Sequence, residues 1–125
     1  MSRGNVKKSM TGVAGLAPQA RTASANGAST DLSGYLSAIV ILDVGVITDG
    51  THTPKLQECD DNATWTDVAA ADLEGAFAAL ATGVNQYVGY KGRKRYLRAV
   101  VTVTGGPATG GIYGAVIMRA QAIQA

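Results

Sequence analysis

The sequence predicts an all-β protein: a small antiparallel β-sandwich of the jelly-roll kind, with an extended N-terminal arm. Three observations carry this. Apolar residues recur at every second position along several short runs. Glycine is frequent and proline scarce, at 16 and 3 of 125 residues, and turn signals separate the runs at regular spacing. Sheets this short need two layers to close a core. The length suits one domain, divided into an arm over residues 1–31 and a sandwich over 32–125.

Residues 1–31 are mostly Gly, Ala, Ser, Thr and Asn with scattered basic residues and no sustained period. Such a segment is ordered only when something ties it down, and the expected tether is a neighbouring chain in an assembly. From Tyr35 the pattern changes. Leu36, Ala38, Val40, Leu42, Val44 and Val46 alternate as on a buried strand face, while Ile39 and Ile41 opposite them predict burial on both sides. "TDGTH" (Thr48 to His52) reads as a turn around Asp49-Gly50, the usual hairpin dipeptide. "TPKLQEC" follows as a short strand, Pro54 placing its start near an edge. "DDNA" turns the chain into "TWTDVAA", a strand that carries the only tryptophan, Trp65.

Ala71 to Ala81 is ambiguous. Its alanines and a capping Asp72 favour a helix, whereas Gly75 inside it costs about 1 kcal/mol relative to alanine; helix and strand both stay open. "NQYVGYKG" and "KRYLRAVVTVTG" read as strands, the second with Leu97, Ala99, Val101 and Val103 on one face. "GPATGG" is a loop and "IYGAVIMRAQAI" the last strand. The expected core anchors are Trp65, Leu97, Val101 and Val103.

The net charge of +2 is unremarked by itself, but its distribution is segregated. Residues 1–30 carry Arg3, Lys7, Lys8 and Arg21 and no acid. All nine acids lie in the middle, opposed there only by Lys55, and from Val88 onward every charge is positive. Such segregation suits a surface that meets partners through complementary charge. Lys91, Arg93, Lys94, Arg95 and Arg98 stand near Tyr87, Tyr90 and Tyr96, a composition compatible with phosphate neutralisation and base stacking. However, "YKGRKRY" straddles a glycine turn, so part of this charge belongs to a hairpin tip. Contact with an acidic protein surface is therefore favoured over a solvated edge and over nucleic acid. The candidate contact residues are Arg3, Lys7, Lys8, Arg21, Lys91, Arg93, Lys94 and Arg95.

No catalytic arrangement emerges. His52, the only histidine, is expected as an exposed turn residue without a nucleophile nearby in sequence. Glu58, Asp60, Asp61 and Asp49 lack the alternating ligand spacing of an EF-hand loop and read as polar turns. The glycines of "TGGPATGGIYG" precede a strand, so they form neither a P-loop nor a dinucleotide fingerprint. The expectation is no enzyme, no cofactor and no metal. Cys59 is alone, which excludes an internal disulfide and suits a reducing compartment. No run approaches the roughly 20 apolar residues of a membrane helix, and the opening stretch makes a poor signal peptide.

Two stretches together resemble a known family. "PKLQECDDNATWTDVAAADLEG" and "YVGYKGRKRYLRAVVTVTG" combine a strand, an acidic turn, a T-W-x-D-V strand and a later G-Y-x-G-x-[KR]-R-Y-[LIV]-R. The carrying residues are Thr64, Trp65, Asp67 and Val68, then Gly89, Tyr90, Gly92, Lys94, Arg95, Tyr96, Leu97 and Arg98. The pattern is similar to the jelly-roll head cement, or decoration, proteins of tailed bacteriophages, and covers about Leu36 to Gly105. The resemblance implies a homodimer on the capsid exterior, present in the host cytoplasm during assembly, whose partners are the major capsid protein and a second copy of itself. A nucleic-acid-binding β-barrel module and a tail or neck protein of the virion are the alternatives.

Overall fold

The period-two pattern is realised as antiparallel strands in the computed structural model, which describes residues 6–122. One helical turn, α1 (Val6–Ser9), leads into β1 (Thr11–Arg21), β2 (Ala25–Asn26), β3 (Thr30–Asp31), β4 (Tyr35–Ile47) and β5 (Thr51–Cys59). Then come β6 (Thr66–Asp67), a 3₁₀ turn (Ala70–Asp72), β7 (Leu73–Glu74), β8 (Gln86–Tyr90), β9 (Tyr96–Thr104) and β10 (Gly111–Ala122). Sheet A has the order β1-β10-β4-β8-β7. Sheet B has the order β2-β9-β5-β6, with β3 also on β9.

Leaving aside the two-residue β3 and β7, the first strand pairs with the last, the second with the next to last, and so inward: β1 with β10, β2 with β9, β4 with β8, β5 with β6. All these pairs are antiparallel, and successive pairs fall in alternate sheets. This is one long hairpin wrapped around itself, the jelly roll.

The core lies between the sheets. From sheet A, Val40, Leu42, Val88, Tyr113 and Ile117 are at most 1% exposed; Leu56, Leu97 and Val101 meet them from sheet B. Burying each such aliphatic side chain stabilises the fold by roughly 1.5–3 kcal/mol. Val103 packs against the margin of this cluster. Trp65 does not belong to it. Being half-buried on the outside of sheet B, it lies under the Arg98 guanidinium, 4.5 Å from the ring centre. It precedes the two-residue β6 and lies in no strand.

Three further expectations are revised. Residues 11–31 contribute strands to the sandwich itself: β1 forms the edge of sheet A, with Val13 opposite Ile117, and β2 and β3 pair with β9. The segment needs few apolar anchors because its tether is the backbone ladder, supplemented by Leu16 in the core. Asp49-Gly50 does not close a hairpin, since β4 and β5 belong to different sheets. The Asp49 carboxylate instead accepts the N–H groups of Ala108 (3.0 Å), Thr109 and Gly110, fixing the loop before β10. These donors hold its carboxyl below the usual range, the Gly110 N–H most of all. Gly50 adopts φ +80° at this corner.

His52 is fully buried rather than exposed. Its Nε2 lies 3.0 Å from the Asp49 carbonyl oxygen, which can only accept, so Nε2 carries a proton, and Nδ1 shares a hydrogen bond with the Tyr113 hydroxyl at 2.8 Å. Residues 71–81 resolve into neither a helix nor a long strand. After the 3₁₀ turn and β7, Gly75 takes φ +103° and irregular chain follows. Phe77 and Leu80 still reach the core, and the Gln86 amide holds this chain by bonding both the N–H and the C=O of Ala78.

Candidate functional site

The basic run is a crossover between sheets, not a hairpin tip: β8 ends in sheet A at Tyr90 and β9 begins in sheet B at Tyr96. Tyr90 holds the crossover. Its hydroxyl donates to Glu58 Oε1 at 2.6 Å and accepts the N–H of Lys94 at 3.1 Å. Burial, reinforced by the Glu58 carboxylate, pushes the Tyr90 phenol well above its ordinary pKa. The chain folds so closely over the ring that a Cβ on Gly92 would lie 2.4 Å from the Tyr90 hydroxyl. Tyr90 is thus committed to structure.

The four cations of the crossover fall into two classes. Lys94 Nζ pairs with Asp60 Oδ2 at 3.0 Å, and Arg95 clasps both oxygens of Asp31 at 3.0 and 2.9 Å. The Arg95 guanidinium, with the Ser33 N–H, lowers the Asp31 carboxyl to about 2, while Lys94 lowers that of Asp60. The charge that is segregated along the chain is therefore matched in space, since folding brings the acidic middle against the basic end. Lys91 and Arg93 are exposed, and their side chains have no partner among the described residues. Two depressions flank the crossover. One, of about 460 Å³, lies between residues 32–38 and the chain from Tyr90 to Arg95. The other, of about 480 Å³, reaches to Glu58 and Asp72.

The other expected contact residues are dispersed. Arg21 is half-buried, donates to the Ala17 carbonyl at 2.7 Å and lies beside the Tyr113 ring. Lys7 is exposed on α1. Arg3 and the Lys8 side chain are outside the described residues. The tyrosines that invited a base-stacking reading do not share a surface: Tyr90 is buried, Tyr87 points out from sheet A, and Tyr96 carries Arg95 over its ring at 5.0 Å.

The outward faces of the two sheets differ. Sheet B shows Thr51, Thr53, Lys55 and Gln57 beside Thr102 and Arg98. On it Lys55 pairs with Asp67 at 3.1 Å, and Gln57 links Asp67 to Arg98. Sheet A is apolar. Ala14, Val116, Ile41 and Tyr87 form one cross-strand row, with Gly12, Met118, Ile39, Gly89 and, at its end, the exposed Glu74 in the next. Val116, Tyr87 and Ile112 on this side are 37%, 61% and 53% exposed. The signal was present in Ile39 and Ile41, which break the polar alternation expected of a solvated face.

No family model matches the sequence, and no curated protein matches it. A solved structure does. The chain shares its fold with a prophage-derived protein. That structure is of the SPBc2 prophage-derived protein YomS, with a TM-score of 0.53 and 17% sequence identity. The match covers 87% of this chain and 91% of the YomS chain. At that identity the similarity shows a common fold and nothing about residues. Among the described residues, no helix is long and apolar enough to cross a membrane.

Proposed function

We propose that the protein is a non-enzymatic structural component of a phage virion, a cement protein on the outside of the capsid that bridges major capsid subunits. The observation that carries this is the contiguous apolar outer face of sheet A. Monomeric proteins rarely leave such a surface in water, and one of this kind marks a protein interface. The resemblance of the strand-and-turn pattern to head cement proteins supports the capsid as the setting, and the shared fold of a prophage-derived protein is in keeping with it. In this reading the apolar face packs against a second copy, giving a homodimer. The crossover, through its two uncompensated cations Lys91 and Arg93, meets an acidic patch of the major capsid protein. Each contact need only be modest, because many copies on a closed lattice act together.

The test is a reconstruction of purified heads with the protein bound, together with Val116→Glu, which places a charge in the middle of the apolar face. Density on the capsid exterior with the crossover against capsid subunits, and loss of the dimer in Val116→Glu, are the expected results. Density at the neck or tail would move the protein to another station of the virion, and binding to DNA in place of heads would overturn the reading.

A further inference from the structure

The depression beside Tyr35, Leu36 and Ser37 has a feature that charge alone does not explain: it is a vacant strand lane. The ladder between β4 and β8 runs from Leu42↔Gln86 to Ala38↔Tyr90 and stops there, because Lys91 turns its N–H to the Asp72 carbonyl at 2.7 Å. β4 continues to Tyr35, paired over these residues with β10 only, through Ser37↔Ala120 and Tyr35↔Ala122. Val44 sends its N–H towards the β8 side, to Asn85 Oδ1. In an antiparallel ladder the N–H and C=O of alternate residues point the same way, so Leu36 directs both groups into the lane beyond Tyr90. No strand pairs with it there among the described residues. Its side chain is 72% exposed at the mouth of the cleft.

The opposite wall is the chain from Gly92 to Arg95. Lys94 and Arg95 are neutralised by Asp60 and Asp31, leaving the unpaired Arg93 to set the sign of the site. The rim offers no free aromatic face on which a base could stack: Tyr90 is committed to Glu58 and Lys94, and Tyr35 is covered by Arg119, 4.7 Å from its ring centre. Backbone donors and acceptors, an exposed aliphatic side chain and one free guanidinium are the recognition elements for an extended polypeptide. The volume of about 460 Å³ lies within the range of ordinary ligand sites.

We infer that this cleft is a strand-addition site, taking an extended acidic segment of a partner protein that pairs with β4 at Leu36 and places a carboxylate on Arg93. The inference rests on the proposed assembly role only in taking the partner to be a protein. It is tested on the isolated full-length chain, so its failure is separable from failure to bind heads.

The probe is a fluorescently labelled Val-Glu-Val-Glu-Val peptide titrated at low ionic strength and followed by anisotropy. Comparison probes are its Gln and Lys counterparts, a backbone N-methylated version, and a short single-stranded DNA. The acidic peptide should bind, and Arg93→Ala should weaken it roughly tenfold, as expected for loss of one charge-assisted hydrogen bond. Arg93→Glu should transfer preference to the Lys peptide, and N-methylation should abolish binding. Equal binding of the Gln and Glu peptides, indifference to N-methylation, or tighter binding of the DNA with loss on Arg93→Ala would each overturn the proposal.

Discussion

Replacing Tyr90 by Phe tests the arrangement that shapes the crossover. The ring is 5% exposed, so the substitution leaves no hole and deletes only the hydroxyl. Two hydrogen bonds go: the 2.6 Å donation to Glu58 and the 3.1 Å acceptance from Lys94 N–H. A hydrogen bond to a charged group contributes about 1.5–3 kcal/mol. Glu58 is partly exposed, so water recovers part of this, and the expected loss is about 1–2 kcal/mol. For a domain of this size that lowers Tm by roughly 3–10 °C. Urea unfolding gives the free energy, and a double-mutant cycle with Glu58→Gln should show coupling near the same value. Because the Tyr90 pKa is raised in the folded state, its contribution is complete below the unfolded value of about 10 and is lost as pH climbs beyond it. Tyr90→Phe should therefore flatten the alkaline fall in stability. A variant within about 0.3 kcal/mol of the parent, or cycle coupling of that size, would refute the reasoning.

Acid should unfold the protein progressively. Asp31, with a folded value of about 2, and Asp49, Asp60, Asp61 and Asp67, all lowered, stabilise the fold above the unfolded carboxyl value near 4 and lose that contribution as pH falls towards 2. Urea midpoints should accordingly be flat from neutral pH to about 5 and drop below 4; a midpoint that rises on acidification would contradict the assigned pairs. Tyr113→Phe should cost about 1–3 kcal/mol by leaving buried His52 Nδ1 without its hydrogen-bond partner, measured by the same unfolding curves. An unchanged midpoint would mean that the hydroxyl does not serve the imidazole.

The long apolar runs were legible because period two survives any arrangement of the sheets: β4, β5, β9 and β10 lie close to where alternation places them. The strands within residues 11–31 were not legible because an edge strand needs little side-chain anchoring. β1 has only Leu16 in the core and is otherwise defined by its ladder with β10, whose partner residues are about a hundred positions away. Asp49-Gly50 and Tyr90-Lys91-Gly92 announced turns correctly, but local sequence does not say whether a turn reverses a strand within one sheet or carries it to the other. His52 was missed for the same reason, as its partner Tyr113 is distant in sequence. Of the candidate site, the basic run was visible, while its division into neutralised and free cations depends on Asp31 and Asp60 arriving from elsewhere.

The pairing of β1 with β10, Thr11 opposite Arg119 at one end and Arg21 opposite Gly111 at the other, has a consequence for biosynthesis. β10 is also the strand that joins β1 to β4 in sheet A. Until it leaves the ribosome, β1 has no ladder and the apolar edge of β4 has no cover. At roughly 5–20 residues per second, the nascent chain spends several seconds with its first strand waiting for its last. Such non-local closure makes folding slow, and it cannot begin until β10 has emerged. A chain stopped before Gly111 would lack the strand that closes the wrap, and would present open strand edges to whatever lies nearby.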